Sequence, residues 1–489
     1  MIDFTVNKEG LAANVRKAKE QGIIIPTIAQ MKNPELIPDR IRDKLTKTGM
    51  QEIDPVNLFR ISWKNEEKDA GGLFNRNPNY IELPKSLTGV NARILAMPGK
   101  WFPTGCHKVG ASFGCLAPRL VTGFFNVDRH KSVWPSTGNY CRGGAFNARL
   151  LGAVGVAVLP EEMSQERFDW LHEVGAEVVK TPGGESNVAE IFEETNRMAK
   201  DPGYQILNQF ADMGNVLWHY NVSGNAMAEV FEAAKGEGDR FAGVALCSGS
   251  SGILSAGDRV KDLYPKAKLA VGEALQCPTI LSNGSGYHRI EGIGDKHIPW
   301  IHNVRNTDMV IDIDDEDSQR LLRLFNCREG QEYLKKNLGF SDEQLEQFTW
   351  MGISGIANVL CCIKMAKYYE LTEHDVLVTV LTDSAAMYQS RVKELNDEYG
   401  AYSVEEARLD HNLHMLGLKT DNMAELGYRD RKRVHDLKYY TWVEQQGKTS
   451  QELSALWYDP EGTWDAVHKS ADKLDELINE FNEETGLLK

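Results

Sequence analysis

From about residue 91 to about 385 the chain alternates short apolar runs with longer amphipathic stretches. The runs ARILAMP (92–98), AVGVAVLP (153–160), AEVVKTP (176–182), GVALCSG (243–249), KLAVGEA (268–274) and DVLVTVLT (375–382) have the length and composition of strands. Between them, CRGGAFNARLLG (141–152), QERFDWLHEVG (165–175), NVAEIFEETNRMAK (187–200), AMAEVFEAAK (226–235) and IANVLCCIKMAKYY (356–369) read as helices. This alternation predicts βαβ units and an α/β fold with a mostly parallel sheet covered by helices on both faces. Ligands in such sheets gather at the carboxyl ends of strands, where loops run into helix N-termini.

The two ends of the chain break the pattern. Residues 1–84 are mixed and polar, with short helices expected at 8–21 and 36–48. After about 395 the chain is polar and helical. Thr449-Ser450-Gln451-Glu452 reads as a capping box opening a segment to Trp457. A last helix is expected from Thr463 to Glu483. Tyr439, Tyr440, Trp442, Trp457 and Trp464 imply that these helices pack on the core, on a second copy, or as a lid, and the sequence does not choose. The acidic run Asp312–Asp317 lacks the glycine of a calcium loop and reads as a solvated helix start.

Composition narrows the function. A chain of 489 residues with 42% hydrophobic and 26% charged residues is expected to fold as a soluble protein of two or three domains. A formal charge of −15 argues against nucleic acid or an anionic membrane as partner. No apolar run reaches the roughly 18–20 residues of a membrane span, and MIDFTVNKEGLAANVRK lacks the apolar core of a signal peptide. The 8 cysteines show no CxxC and no paired metal spacing, so buried thiols in a reducing cytoplasm are the expectation. His411 and His414 lack further ligands and are expected on a wet helix face; no metal is expected.

Candidate chemistry lies in separate segments. In WFPTGCHKVGASFG (101–114), Lys108 sits among Gly105, Cys106, Gly110 and Ala111, small neighbours that leave room for something bulky. A lysine amine forms a Schiff base with a carbonyl cofactor. Ser136-Thr137-Gly138-Asn139, between an apolar run and a helix, suits a carboxylate or phosphate, although taken alone an N-cap is the commoner use of such residues. Cys247-Ser248-Gly249-Ser250-Ser251-Gly252 joins a strand to a helix through small residues whose amides and hydroxyls can cradle a phosphate. It is neither a P-loop nor GxGxxG. Thr382-Asp383-Ser384 follows another apolar run, a place for a hydroxyl bonded to a ring nitrogen.

In the order HKVGAS, STGN, CSGSSG and TDSA, these motifs resemble the cysteine synthase group of pyridoxal phosphate enzymes, the fold-type II superfamily that includes tryptophan synthase β. The segments LPEEMSQERFDWLHEVGAEVVKTPG (159–183), NQF (208–210), HRIEGIG (288–294) and GISGIANV (352–359) fall in family order, and the resemblance covers roughly residues 80–395. It implies two three-layer αβα subdomains. A catalytic core over 85–395 would hold the smaller subdomain, about 125–225, between an N-terminal extension (1–84) and a helical C-terminal one (396–489). It also implies pyridoxal 5'-phosphate on Lys108, with His107 near the phosphate and Asn139 on the phenolic oxygen. Ser248, Gly249, Ser250, Ser251 and Gly252 would bind the phosphate and Ser384 the ring nitrogen. Ser136, Thr137, Gly138, Tyr140 and Gln209 would face the substrate.

The implied reaction is β-elimination or β-replacement on a small amino acid with a leaving group at Cβ (cysteine, serine or an activated serine), through an aminoacrylate. A thiol or sulfide would be co-substrate and a homodimer the assembly. A dedicated lyase of the cysteine desulfhydrase or ammonia-lyase type, and more remotely a non-catalytic binding subunit, are the alternatives. A neutral hydroxyl on the ring nitrogen makes a weaker electron sink than a carboxylate, so Ser384 favours β-chemistry, and Asp383 in its place would reverse the argument. The chain departs from the cysteine synthase pattern at Gly105-Cys106-His107, at Tyr140 and at Asp295-Lys296-His297, which puts O-acetylserine as substrate in doubt. Tyr140 and His297 read equally as pocket or as rim side chains.

Overall fold

The structure, a computed structural model, describes residues 1–184, 188–294 and 296–488. Asn187 and Asp295, each within a segment singled out above, lie outside the described residues. Eleven strands form two sheets. They are β1 (Ile81–Leu83), β2 (Arg93–Pro98), β3 (Lys131–Pro135), β4 (Val154–Pro160), β5 (Glu177–Thr181), β6 (Tyr204–Ile206), β7 (Arg240–Cys247), β8 (Lys268–Ala274), β9 (Met309–Ile313), β10 (Asp375–Leu381) and β11 (Met423–Glu425).

The larger sheet runs β1-β2-β10-β7-β8-β9-β11, parallel except for its two edge strands. The smaller runs β5-β4-β3-β6 and is wholly parallel. Both are α/β, the fold class of fold-type II enzymes. Every residue of β10 is buried, as expected of a strand covered on both faces. The helix Ile353–Tyr368 crosses the larger sheet with nearly every side chain buried. Asn358 in that helix accepts from Cys247 N–H at 2.7 Å and donates to Val380 C=O at 2.8 Å, tying together the ends of β7 and β10. Two loops expected to carry chemistry start at those ends.

The terminal segments fold onto the core. Asp475 accepts from the amides of Ile28 and Ala29, and the Asn482 amide pairs with both backbone groups of Ile25. Trp63 packs edge-on against Phe102, and Trp442 donates to Ile298 C=O. The first helix is Lys8–Gln21, as its periodicity predicts, and Thr449 and Glu452 form the expected capping box. The second helix is shorter than expected, Asp39–Leu45, because Pro38 opens it. The last one is broken at Lys469 and Ser470 and resumes as Ala471–Thr485.

The acidic run is only partly a solvated helix start. Asp314 caps the helix Asp315–Asn326, but Asp312 belongs to β9 and is buried. Burial raises the Asp312 carboxyl pKa, opposed by its hydrogen bond with Glu273 and by the Lys364 charge. His411 is likewise buried, at Tyr333 and Leu87 C=O, rather than on a wet face; His414 pairs with Asp317. No single described helix is long and apolar enough to cross a membrane.

Candidate active site

Lys108 begins the helix Lys108–Val121, one turn after an unusual backbone. Thr104 and Gly105 both adopt left-handed conformations, φ 69° and 67°. A threonine there is strained and needs support. Gln51 accepts from Thr104 N–H, and Arg142 donates to Thr104 C=O. The Lys108 amine reaches Ser250 Oγ at 3.0 Å and Gln209 Oε1 at 3.4 Å. The small residue after it serves packing rather than open space: a Cβ on Gly110 would lie 2.0 Å from the Trp218 ring.

The second element is the turn from β3 into the helix Asn139–Leu150. Its hydroxyls do not cap that helix, whose N-cap is Gly138. Ser136 Oγ accepts from Gly138 N–H inside the turn, and Thr137 C=O accepts from Arg167. Gly138 must be glycine. Its φ is 151°, and a Cβ would sit 2.0 Å from Arg167 Nη1. Asn139 donates through Nδ2 to Asp383 at 2.7 Å, while its buried Oδ1 has no partner.

The third is the loop between β7 and the helix Leu254–Leu263. Among the described residues, no carbonyl or side chain accepts from the amides of Gly249, Ser250, Ser251 or Gly252. Consecutive unbonded amides before a helix form an anion cradle. Ser248 and Ser251 bond each other at 2.6 Å, and Ser250 Oγ accepts from Asn215 as well as from Lys108.

These segments meet in one cleft. Lys108, Ser136, Thr137, Asn139, Tyr140, Gln209, Gly249 and Ser250 line it together with Thr382. Tyr140 is both pocket and packing: it lines the cleft, stacks edge-on against Trp134 and donates to Leu207 C=O.

Other candidates lie elsewhere. Ser384 faces a separate pocket with Thr104 and Arg142, and it is Thr382 that reaches the cleft. His107 is buried between Trp63 and His219, and burial next to the Lys108 charge drops its pKa to about 3, so it is neutral. His297 packs against Phe192, Phe210 and Trp442. Burial pushes the Cys106 and Cys141 thiols up to about 12, so neither is a thiolate.

Sequence reasoning missed a buried polar chain behind the cleft. Tyr388 and Asn139 both donate to Asp383 Oδ2 at 2.7 Å; Arg167 donates to Tyr388 Oη at 2.8 Å and pairs with Glu291 at 3.3 Å, and Glu291 in turn pairs with Arg391. Burial raises the Asp383 carboxyl pKa, opposed by Arg167 and by its two donors. Asp383 thus turns Oδ2 to Asn139 and Tyr388, while its buried Oδ1 has no hydrogen-bond partner among the described residues.

A phosphate ester, a phenolic oxygen and an aldehyde on one aromatic ring would each find a partner here. The unbonded amides of 249–252 suit the phosphate, the Asn139 amide suits the phenolic oxygen, and Lys108 suits the aldehyde. A family profile described as "Pyridoxal-phosphate dependent enzyme" matches residues 76–332. The chain belongs to this pyridoxal phosphate enzyme family. A probable cysteine synthase of Bacillus subtilis is 30% identical over 199 residues, 40% of this chain and 63% of that protein. The chain therefore spans somewhat under two thirds of that relative. A Staphylococcus aureus cysteine synthase is 29% identical over 259 residues, 53% of this chain and 75% of that protein. The solved structure of an Entamoeba histolytica cysteine synthase shares the fold: TM-score 0.55 at 21% identity, over 68% of this chain and 92% of that one. Pyridoxal phosphate is the cofactor of this family and its members are enzymes. Residues 1–75 and 333–489 of this pyridoxal phosphate enzyme fall outside the matched stretch.

Proposed function

We propose that the protein catalyses β-elimination or β-replacement on a small amino acid carrying a leaving group at Cβ. The observation that carries the reading is the convergence of Lys108, Asn139, the 249–252 amides and the Ser136–Thr137 turn on one cleft. When bound, pyridoxal phosphate would supply an electron sink for loss of the substrate's Cα proton.

The chain's own groups do the rest. The amides of 249–252 hold the phosphate, and Asn139, fixed by Asp383, holds the phenolic oxygen. Ser136, Thr137 and Gln209 orient the substrate carboxylate. Lys108 would hold the cofactor's aldehyde, and its amine, within reach of Ser250 and Gln209, would move the proton at Cα. The Thr382 hydroxyl takes the ring-nitrogen place first given to Ser384. It is neutral too, so the preference for β-chemistry over transamination stands. Tyr140 closes the substrate side of the cleft and narrows it toward small side chains. Cysteine synthases among the relatives support a thiol or sulfide as second substrate.

The test is to assay cysteine, serine and O-acetylserine, each with and without sulfide. Amino-acid product that depends on sulfide supports replacement. Keto acid formed at the same rate whether or not sulfide is present leaves elimination alone, and turnover of none of the three overturns the reading.

A further inference from the structure

Behind the cleft lies a second pocket of about 480 Å³ that the proposed reaction does not use. Thr104, Arg142 and Ser384 form its buried floor, and Trp170 one wall. Arg142 is 2% exposed, yet among the described residues it pairs with no carboxylate. Its Nη2 donates to Thr104 C=O and its guanidinium sits 4.7 Å over the Trp170 ring. Among the described residues Nε and Nη1 have no hydrogen-bond partner, nor has the buried Thr104 hydroxyl. A buried cation with two unmet donors is costly unless an anion or other acceptor completes it.

The geometry points to a binding site for a small organic carboxylate, with its oxygens on Arg142 and the Thr104 hydroxyl. The mouth limits the ligand. Lys100 and Ile53 share it with Asp69 and Glu173, which disfavour polyanions such as nucleotides and suit a monocarboxylate or an amino-acid zwitterion. Arg142 lies one helical turn after Asn139 and holds the backbone four residues before Lys108. An occupant would therefore touch both supports of the cofactor cleft without entering it.

Propionate is a suitable probe, since it has no amine to react with the cofactor. Thermal unfolding and calorimetric titration of the holoprotein with sodium propionate, against sodium chloride at equal ionic strength, should give saturable binding and stabilisation specific to the carboxylate. Arg142→Gln should weaken that binding about tenfold or more. Ile53→Trp, which fills the exposed mouth and spares the floor, should abolish it even if the Arg142 variant fails to fold. Gln209→Ala removes a carboxylate partner from the cofactor cleft and should leave the binding intact. No saturable response, a response matched by chloride, full affinity in Ile53→Trp or in folded Arg142→Gln, or loss in Gln209→Ala alone would each overturn the assignment. None of these outcomes bears on the reaction proposed for the cleft.

Discussion

Gly252→Ala tests the phosphate cradle. A Cβ on Gly252 would lie 2.0 Å from Asn215 Oδ1 and 2.4 Å from its Cγ, so the Asn215 side chain has to move. That amide donates to Gln209 C=O at 3.0 Å and to Ser250 Oγ at 3.2 Å. Losing both bonds costs about 1 kcal/mol each, and forcing a methyl into a filled site adds about 1–3 kcal/mol. The substitution also shifts a cradle amide and the Ser250 hydroxyl that meets Lys108. If half of a total near 4 kcal/mol falls on the holo form alone, cofactor affinity drops by roughly 10- to 100-fold. Fluorescence titration of the apoprotein with pyridoxal phosphate measures that drop, and urea unfolding of the apoprotein measures the part independent of cofactor. Unchanged cofactor affinity in a folded Gly252→Ala protein would refute the cradle assignment.

Thr382→Val should lower kcat/KM about tenfold, the worth of one buried hydrogen bond, whereas Ser384→Ala should leave it near wild type; the reverse ranking in a steady-state assay would restore Ser384 to the ring nitrogen. Asp383→Ala leaves the buried Asn139 amide and Tyr388 hydroxyl without their shared acceptor, so the urea midpoint should fall by the equivalent of about 2–4 kcal/mol, and cofactor affinity with it. His435 is buried with its pKa depressed from 6.5 to about 3. Between those values only the unfolded chain binds the proton, so this stability is present above about pH 7 and lost as pH falls. The loss reaches about 2 kcal/mol by pH 5, and His435→Gln should flatten the urea-stability profile by that much.

The buried strands were legible because a strand covered on both faces must be continuously apolar, as β4, β8 and β10 are. Strand β6 was not: its residues Tyr204–Ile206 are too few to show a period and are all half-buried. Edge strands β1 and β11, of three residues each, are below any periodicity. The loops of the cleft were legible as small-residue turns after strands, since close approach of backbone to a ligand constrains residue type locally. The polar chain behind them was not, because Arg167, Glu291, Asp383 and Arg391 come from distant parts of the chain. Arg167 did carry a signal, since it stands four residues before Leu171 on the buried face of its helix. That Thr382 lines the cleft and Ser384 the neighbouring pocket was not legible, because both lie beyond the end of β10 and the turn there sets where each one faces.

The account rests on Lys108 as the residue that carries the cofactor. Borohydride reduction of the holoprotein, followed by proteolysis and mass spectrometry, locates the trapped pyridoxyl group. The account predicts one modified peptide, with the label on Lys108, and none in Lys108→Ala. A label on another lysine of the native protein, or no label on a folded holoprotein, would contradict it.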